Sequence, residues 1–117
     1  MADVKLYSKD WRLRHTYGIT LEEWGEMFRS QEGKCFICGK APNILHVDHK
    51  HQPKEKQIRK KKESHKIRPY VRGLLCWQCN AAIAKFRDDP IRLRSAANYL
   101  ENPPARLILK ETNVDLL

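Results

Sequence analysis

Two Cys-x-x-Cys pairs, Cys35/Cys38 and Cys76/Cys79, constrain this chain more than any other feature. They bracket His46-Val47-Asp48-His49-Lys50-His51, and the second pair runs directly into Asn80. Four thiolates in this pairing suit tetrahedral zinc, whose structural sites are closed and leave no coordination position for chemistry. A structural Zn2+ on Cys35, Cys38, Cys76 and Cys79 is therefore expected as scaffold. Asp48, His49 and Asn80 offer a different donor set: a carboxylate, an imidazole and an amide oxygen. Such donors suit a hard divalent ion that keeps waters and meets phosphate, with a base at its side.

A chain of 117 residues has room for one domain with a limited core, which makes a metal staple physically reasonable. Lysine and arginine outnumber aspartate and glutamate by 23 to 14, a formal charge of +9, so a polyanionic partner is expected, DNA or RNA first. The opening Met1-Ala2-Asp3-Val4-Lys5 has no apolar signal core, and no apolar run reaches membrane-spanning length. A soluble cytoplasmic protein with no membrane partner is expected. Its reducing compartment favours zinc thiolates over disulfides, and two complementary pairs argue against redox catalysis.

Thr20 and Glu23 form a capping-box pattern, and Leu21, Trp24, Met27 and Phe28 recur at helical spacing until Gly33, which predicts a helix over 21–31. Upstream, Trp11, Leu13 and Tyr17 predict a shorter helix whose arginines either lie on a phosphate backbone or form a solvated face. Residues 44–48 alternate as a short strand, residues 70–75 form a second β-rich run, and the two are expected to pair as a hairpin. Helices are then expected from Asn80 towards Phe86 and after the cap candidates Asp88-Asp89-Pro90, the latter ending before Pro103-Pro104. Trp24 and Trp77 read as core around the zinc.

Most of the excess charge falls in the connection at 52–69, which carries Lys54, Lys56, Arg59, Lys60, Lys61, Lys62, Lys66 and Arg68 against Glu55 and Glu63. Placed beside Asp48-His49, these cations, with Arg72 on the second strand, are candidate DNA contacts. A merely solubilising insertion is the alternative. His46 is expected to support the strand and His65 to face DNA. The layout is a helical segment at 1–34, a zinc-bracketed core at 35–87, a helix at 88–104 and a tail at 105–117.

Taken in order, Tyr17-Gly18-Ile19-Thr20, Cys35-x-x-Cys38-Gly39, Val47-Asp48-His49-Lys50-His51, Val71-Arg72-Gly73-Leu74-Leu75-Cys76-x-x-Cys79-Asn80 and Asp88-Asp89-Pro90 resemble the recombination endonuclease VII branch of the HNH nucleases, typically phage encoded. The resemblance runs from about Tyr17 to Leu100 and implies an α+β fold: a small zinc-stabilised ββα-metal domain with flanking helices. It implies that Asp48 and Asn80 bind a catalytic Mg2+ or Mn2+, that His49 is the general base and that His51 contacts the scissile phosphate. A phage protein of this kind would work in the host cytoplasm.

Three departures shape what is carried over. The connection between His51 and Val71 is longer and more basic than the family's usual turn, and residues 81–88 lack the third histidine of the commoner HNH pattern, whose ligand role Asn80 would take. Little sequence follows Leu100 to supply the dimerisation region of junction-resolving members. A monomer is expected, with a weak dimer as the alternative, and junction resolution is not carried over. The expected function is a metal-dependent DNA endonuclease that hydrolyses phosphodiester bonds and nicks one strand per active site. The alternative is a non-catalytic zinc-containing nucleic-acid-binding module. The apolar residues of the tail are candidates for docking a phage assembly or packaging partner.

Adjacent strand residues point to opposite faces. Asp48 and His49 can therefore serve one site only where the strand bends or ends between them.

Overall fold

The computed structural model describes residues 4–51, 67–109 and 114–117, with side chains from residue 8 onward. The chain divides into two compact units, residues 1–80 and 81–117. The first contains α1 (Val4–Tyr17), α2 (Leu21–Ser30), β1 (His46–His49), a 3-10 turn at Arg68–Tyr70, β2 (Val71–Leu75) and the start of α3 (Trp77–Lys85). α4 (Pro90–Glu101) and α5 (Ala105–Ile108) belong to the second. This is the expected α+β class, a two-stranded antiparallel hairpin with helices and a four-cysteine cluster.

α2 forms where its capping box predicts. The Thr20 hydroxyl accepts from the Glu23 backbone N–H at 3.1 Å, and the Glu23 carboxylate accepts from Thr20 N–H at 2.9 Å, so two donors otherwise unpaired at a helix start are satisfied. A third, Leu21 N–H, is taken by Asp10 of α1 at 2.8 Å, and this hydrogen bond lowers the Asp10 pKa. Arg68 then closes the end from the far side of the sequence, donating to Glu23 Oε1 at 2.6 Å, to Glu23 Oε2, and to the Gly18 carbonyl at 3.0 Å. At its other end α2 stops in a Schellman arrangement. Glu32 and Gly33 both adopt positive φ, and their N–H groups return to Arg29 O at 3.0 Å and Phe28 O at 2.8 Å. A Cβ on Gly33 would lie 3.0 Å from the Phe28 ring, so both backbone angle and space select glycine there.

α1 is longer than expected, at 14 residues, and it is the longest helix among the described residues. The strand predicted from Ile44 begins two residues later: Ile44 is exposed, and Leu45 is buried before β1 starts at His46. The buried side chains are Leu13, Ile19, Cys35, Leu45, Val47, Leu74, Leu75, Cys76 and Asp48, all in the first unit. Gln31 docks on the outer edge of β2. Its amide accepts from Leu74 N–H at 3.0 Å and donates to Leu74 O at 2.8 Å, substituting for a missing third strand.

In the second unit, Asp89 caps α4 by accepting from Ile91 N–H at 2.9 Å, as the Asp-Asp-Pro pattern predicts. No residue described in that unit is buried, and Leu107, Ile108 and Leu109 of the tail are exposed. Among the described residues no helix is long and apolar enough to cross a membrane.

Candidate functional site

Two Cys-x-x-Cys turns meet at the open end of the hairpin, one before β1 and one after β2. In the first, Cys35 N–H donates to Lys40 O at 2.8 Å and Gly39 N–H to Cys35 O at 2.9 Å, a tight turn that needs the positive φ of Gly39. The second caps β2 and opens α3, with Cys79 N–H directed at Cys76 Sγ at 3.4 Å. Phe36 N–H reaches Leu74 O at 3.4 Å and joins the first turn to the strand that carries the second. The four sulfur atoms lie within 4.8 Å of one another, with Cys38 and Cys76 Sγ 3.8 Å apart. A zinc ion with tetrahedral arms of ~2.3 Å places its sulfurs ~3.8 Å apart, so the cluster fits structural zinc.

Without the ion's charge the thiols share protons unequally. Burial opposes ionisation of Cys35, but backbone N–H groups of Cys38, Cys76 and Ile37 outweigh it and bring its pKa down to about 6. Burial and the surrounding thiols push Cys79 up to about 12. Four thiolates together require a dication. Trp77 does not join this core: it is 66% exposed, as are the other middle residues of the turns, Phe36 and Ile37, at 79% and 53%. Residues between paired ligands ride the outside of the turn, which corrects the expectation for Trp77. Trp24 is half-buried, stacked on Phe28 with ring centroids 5.0 Å apart.

The hairpin carries Asp48 and His49 at an irregular register. Asp48 lies opposite Gly73, but His49 lies opposite Val71, so Arg72 is the additional residue of a bulge. β1 also ends at His49. The extra residue bends β2, and on β1 it is the strand's end at His49 that relaxes the alternation of Asp48 and His49. The same bulge turns Arg72 onto the Asp48 carboxylate, with Nε 2.6 Å from Oδ2 and Nη2 2.9 Å from Oδ1. The Asp48 side chain is only 7% exposed, so this bidentate pair supplies the cation that a buried carboxylate requires.

Beyond the bulge, Lys50 N–H donates to Tyr70 O at 2.8 Å and continues the pairing. The His49 and His51 rings are 5.4 Å apart, and the Tyr17 ring stands 5.8 Å from His49. The His49 pKa is lowered, first by burial and then by the charges of His51 and Arg72, with Asp48 acting in the opposite direction. Asn80 is half-buried in the first turn of α3, one residue past a cluster cysteine, and its N–H donates to Cys76 O at 3.0 Å. His46 is exposed.

Of the expected DNA contacts, Lys54, Lys56, Arg59, Lys60, Lys61, Lys62 and Lys66 lie outside the described residues, as does His65. Arg68 and Arg72 are within them, and both make intramolecular ion pairs, with Glu23 and Asp48. Sequence reasoning missed the proximity of Tyr17 to His49, the docking of Gln31 and both arginine pairs. Each joins residues far apart in the chain, and no periodicity or local pattern marks such partners.

A family model described as recombination endonuclease VII matches residues 10–102. Curated relatives include the gene 59 proteins of Mycobacterium phage D29 and Mycobacterium phage L5, 36% and 35% identical over 104 residues. The match covers 86% of this chain and 54% of each relative, so the chain spans about half the length of those proteins. No solved structure matches the chain significantly. The match encloses the cysteine cluster, the bulged hairpin and α4: the chain belongs to the recombination endonuclease VII family.

Proposed function

We propose that the chain is a divalent-metal-dependent DNA endonuclease that hydrolyses one phosphodiester strand per active site, with the cysteine cluster as its zinc scaffold. The observation that supports this reading is a buried Asp48 followed by His49 at the end of the same strand.

Asp48 and Asn80 would hold Mg2+ or Mn2+. The donor chemistry fits: Asp48 is a buried carboxylate that already demands a positive charge, and Asn80 adds an oxygen without extra negative charge to repel phosphate. When bound, the ion supplies charge stabilisation to the phosphate and the leaving oxygen. His49 removes the proton from the attacking water, a role suited to an imidazole that is neutral near pH 7. His51, with its ring close to that of His49, contacts the scissile phosphate. Arg72 holds the Asp48 carboxylate in a fixed orientation. The basic connection at 52–69 then gathers the polyanion.

Supercoiled plasmid incubated with Mg2+ or Mn2+ tests the reading. His49→Ala is expected to lose at least ~100-fold in nicking rate, the usual contribution of a general base, while remaining folded. Equal cleavage by both proteins removes His49 from the mechanism.

The Arg72 pair favours a second reading, in which Asp48 is purely structural and the chain is a non-catalytic zinc module that binds nucleic acid. That reading predicts salt-sensitive binding with no metal-dependent cleavage.

A further inference from the structure

One face of α1 is unusual for a helix packed in a small domain. Lys9, Arg12, Leu13, Thr16 and Tyr17 recur at helical spacing, and all line one cavity of about 500 Å3. Only Leu13 is a buried apolar residue. The opposite walls are Trp24 and Phe28 of α2 and the chain at 42–47 entering β1. A helix ordinarily turns such a stripe to solvent and fills the interior with apolar side chains. Here two cations and three aromatic residues, Tyr17, Trp24 and Phe28, share a half-open groove.

The cations are not neutralised by acids. Among the described residues neither Lys9 nor Arg12 has a carboxylate partner. Lys9 Nζ sits 3.1 Å from the centre of the Trp24 ring. Burial, with the Arg12 charge second, lowers the Lys9 pKa. Holding two like charges at one groove opposes folding unless an anion joins them. The cavity volume lies in the range of small-ligand sites, ~300–1,000 Å3.

The groove also leads to the candidate catalytic centre. Tyr17 lines it and stands 5.8 Å from His49 by ring centroids, and its floor includes His46 and Val47, the residues of β1 before Asp48. From Lys9 to Tyr17 the helix covers about 12 Å. A strand whose scissile phosphate lay at His49 would bring a phosphate a few nucleotides along it to Lys9 and Arg12. We propose that this groove is a phosphate site for the strand being cut, taking one phosphate on Lys9 and Arg12 beside the Trp24 ring. The assignment of strand and scissile phosphate rests on the endonuclease reading, but the groove's affinity for a phosphate does not.

The full chain, zinc-loaded and with Ca2+ in place of the catalytic ion, is titrated with a fluorescein-labelled single-stranded oligonucleotide over a salt series. Arg12→Ala is expected to weaken binding and to reduce the slope of log K against log salt by about 0.7, and Arg12→Ala with Lys9→Gln by about 1.4. Arg12 is exposed and its side chain makes no hydrogen bond or ion pair among the described residues, so its variant alone carries the test if the double variant misfolds. In a protein retaining only Trp24, by Trp11→Phe and Trp77→Phe, the oligonucleotide is expected to change the indole fluorescence as its phosphate draws Lys9 from the ring. Unchanged affinity and slope in Arg12→Ala overturn the proposal, and free dTMP binding as tightly as the oligonucleotide overturns the strand assignment. Failure of the endonuclease reading is separately visible. In that case no plasmid is nicked with any metal, while the Arg12 and Trp24 signals persist.

Discussion

A buried carboxylate must find a cation, and in Asp48 that demand is met by Arg72 at 2.6 and 2.9 Å. The pair is a place where charge has been prearranged, because removing the arginine leaves an ionised group short of both water and partner. Arg72→Gln is expected to destabilise the metal-free chain by about 1–3 kcal/mol, read by urea denaturation. Added Mn2+ should then stabilise this variant more than the wild type, since the ion no longer competes with a guanidinium for the same oxygens. A larger Mn2+ shift in the wild type would count against Asp48 as a metal ligand. Sequence reading named both residues, one as ligand and one as DNA contact. It could not join them, because the bulge that brings them to one face exists only in the pairing of two strands.

At the scale of elements, α2 is the best-determined piece, and its start is held at three levels. Thr20 caps locally, Asp10 caps from α1, and Arg68 ties Glu23 to the turn before β2. Thr20→Ala is expected to cost about 1 kcal/mol, measurable as a lowered denaturation midpoint. Arg68 also depresses the Glu23 pKa to about 2 from an ordinary value of 4.5. The sign follows from linkage: a lowered carboxylate pKa contributes stability that is present above pH 4.5 and is lost as pH falls towards 2. Glu23→Gln should therefore lower the Tm at pH 7 and flatten the fall in Tm between pH 4.5 and 2. An unchanged acid slope in the variant would show that the pair does not report on folding. The capping box was legible in the chain because its partners are three residues apart. Arg68 was read instead as a phosphate contact, because its partner is 45 residues away.

For the whole molecule, the cysteine cluster joins the segment after α2 to the junction of β2 and α3, so it closes the first unit around its small core. Among the described residues nine buried side chains form that core, a small one for which a metal staple is physically reasonable. One equivalent of zinc is expected, and stripping it with a strong chelator should unfold the first unit. Cys35→Ser is expected to lose folded protein, whereas His49→Ala is not. A zinc-free quadruple cysteine variant with native near-UV circular dichroism would rule out a structural role for the ion.

Spacing along the chain carried the zinc ligands, the capping box, the α4 cap, the strand-strand-helix order and the resemblance to a nuclease family. All of these are local patterns, or paired local patterns, whose chemistry needs no knowledge of the fold. Trp77 shows the limit of that reading: its residue type argues for core, but its place between two ligands puts it outside the turn. The register slip at Asp48 and His49, the guanidinium on Asp48, the amide of Gln31 on β2 and the cationic groove of α1 emerged only on folding. They arise where segments distant in sequence share a strand edge, a buried charge or a cavity, and such neighbours are selected by packing and electrostatics in three dimensions.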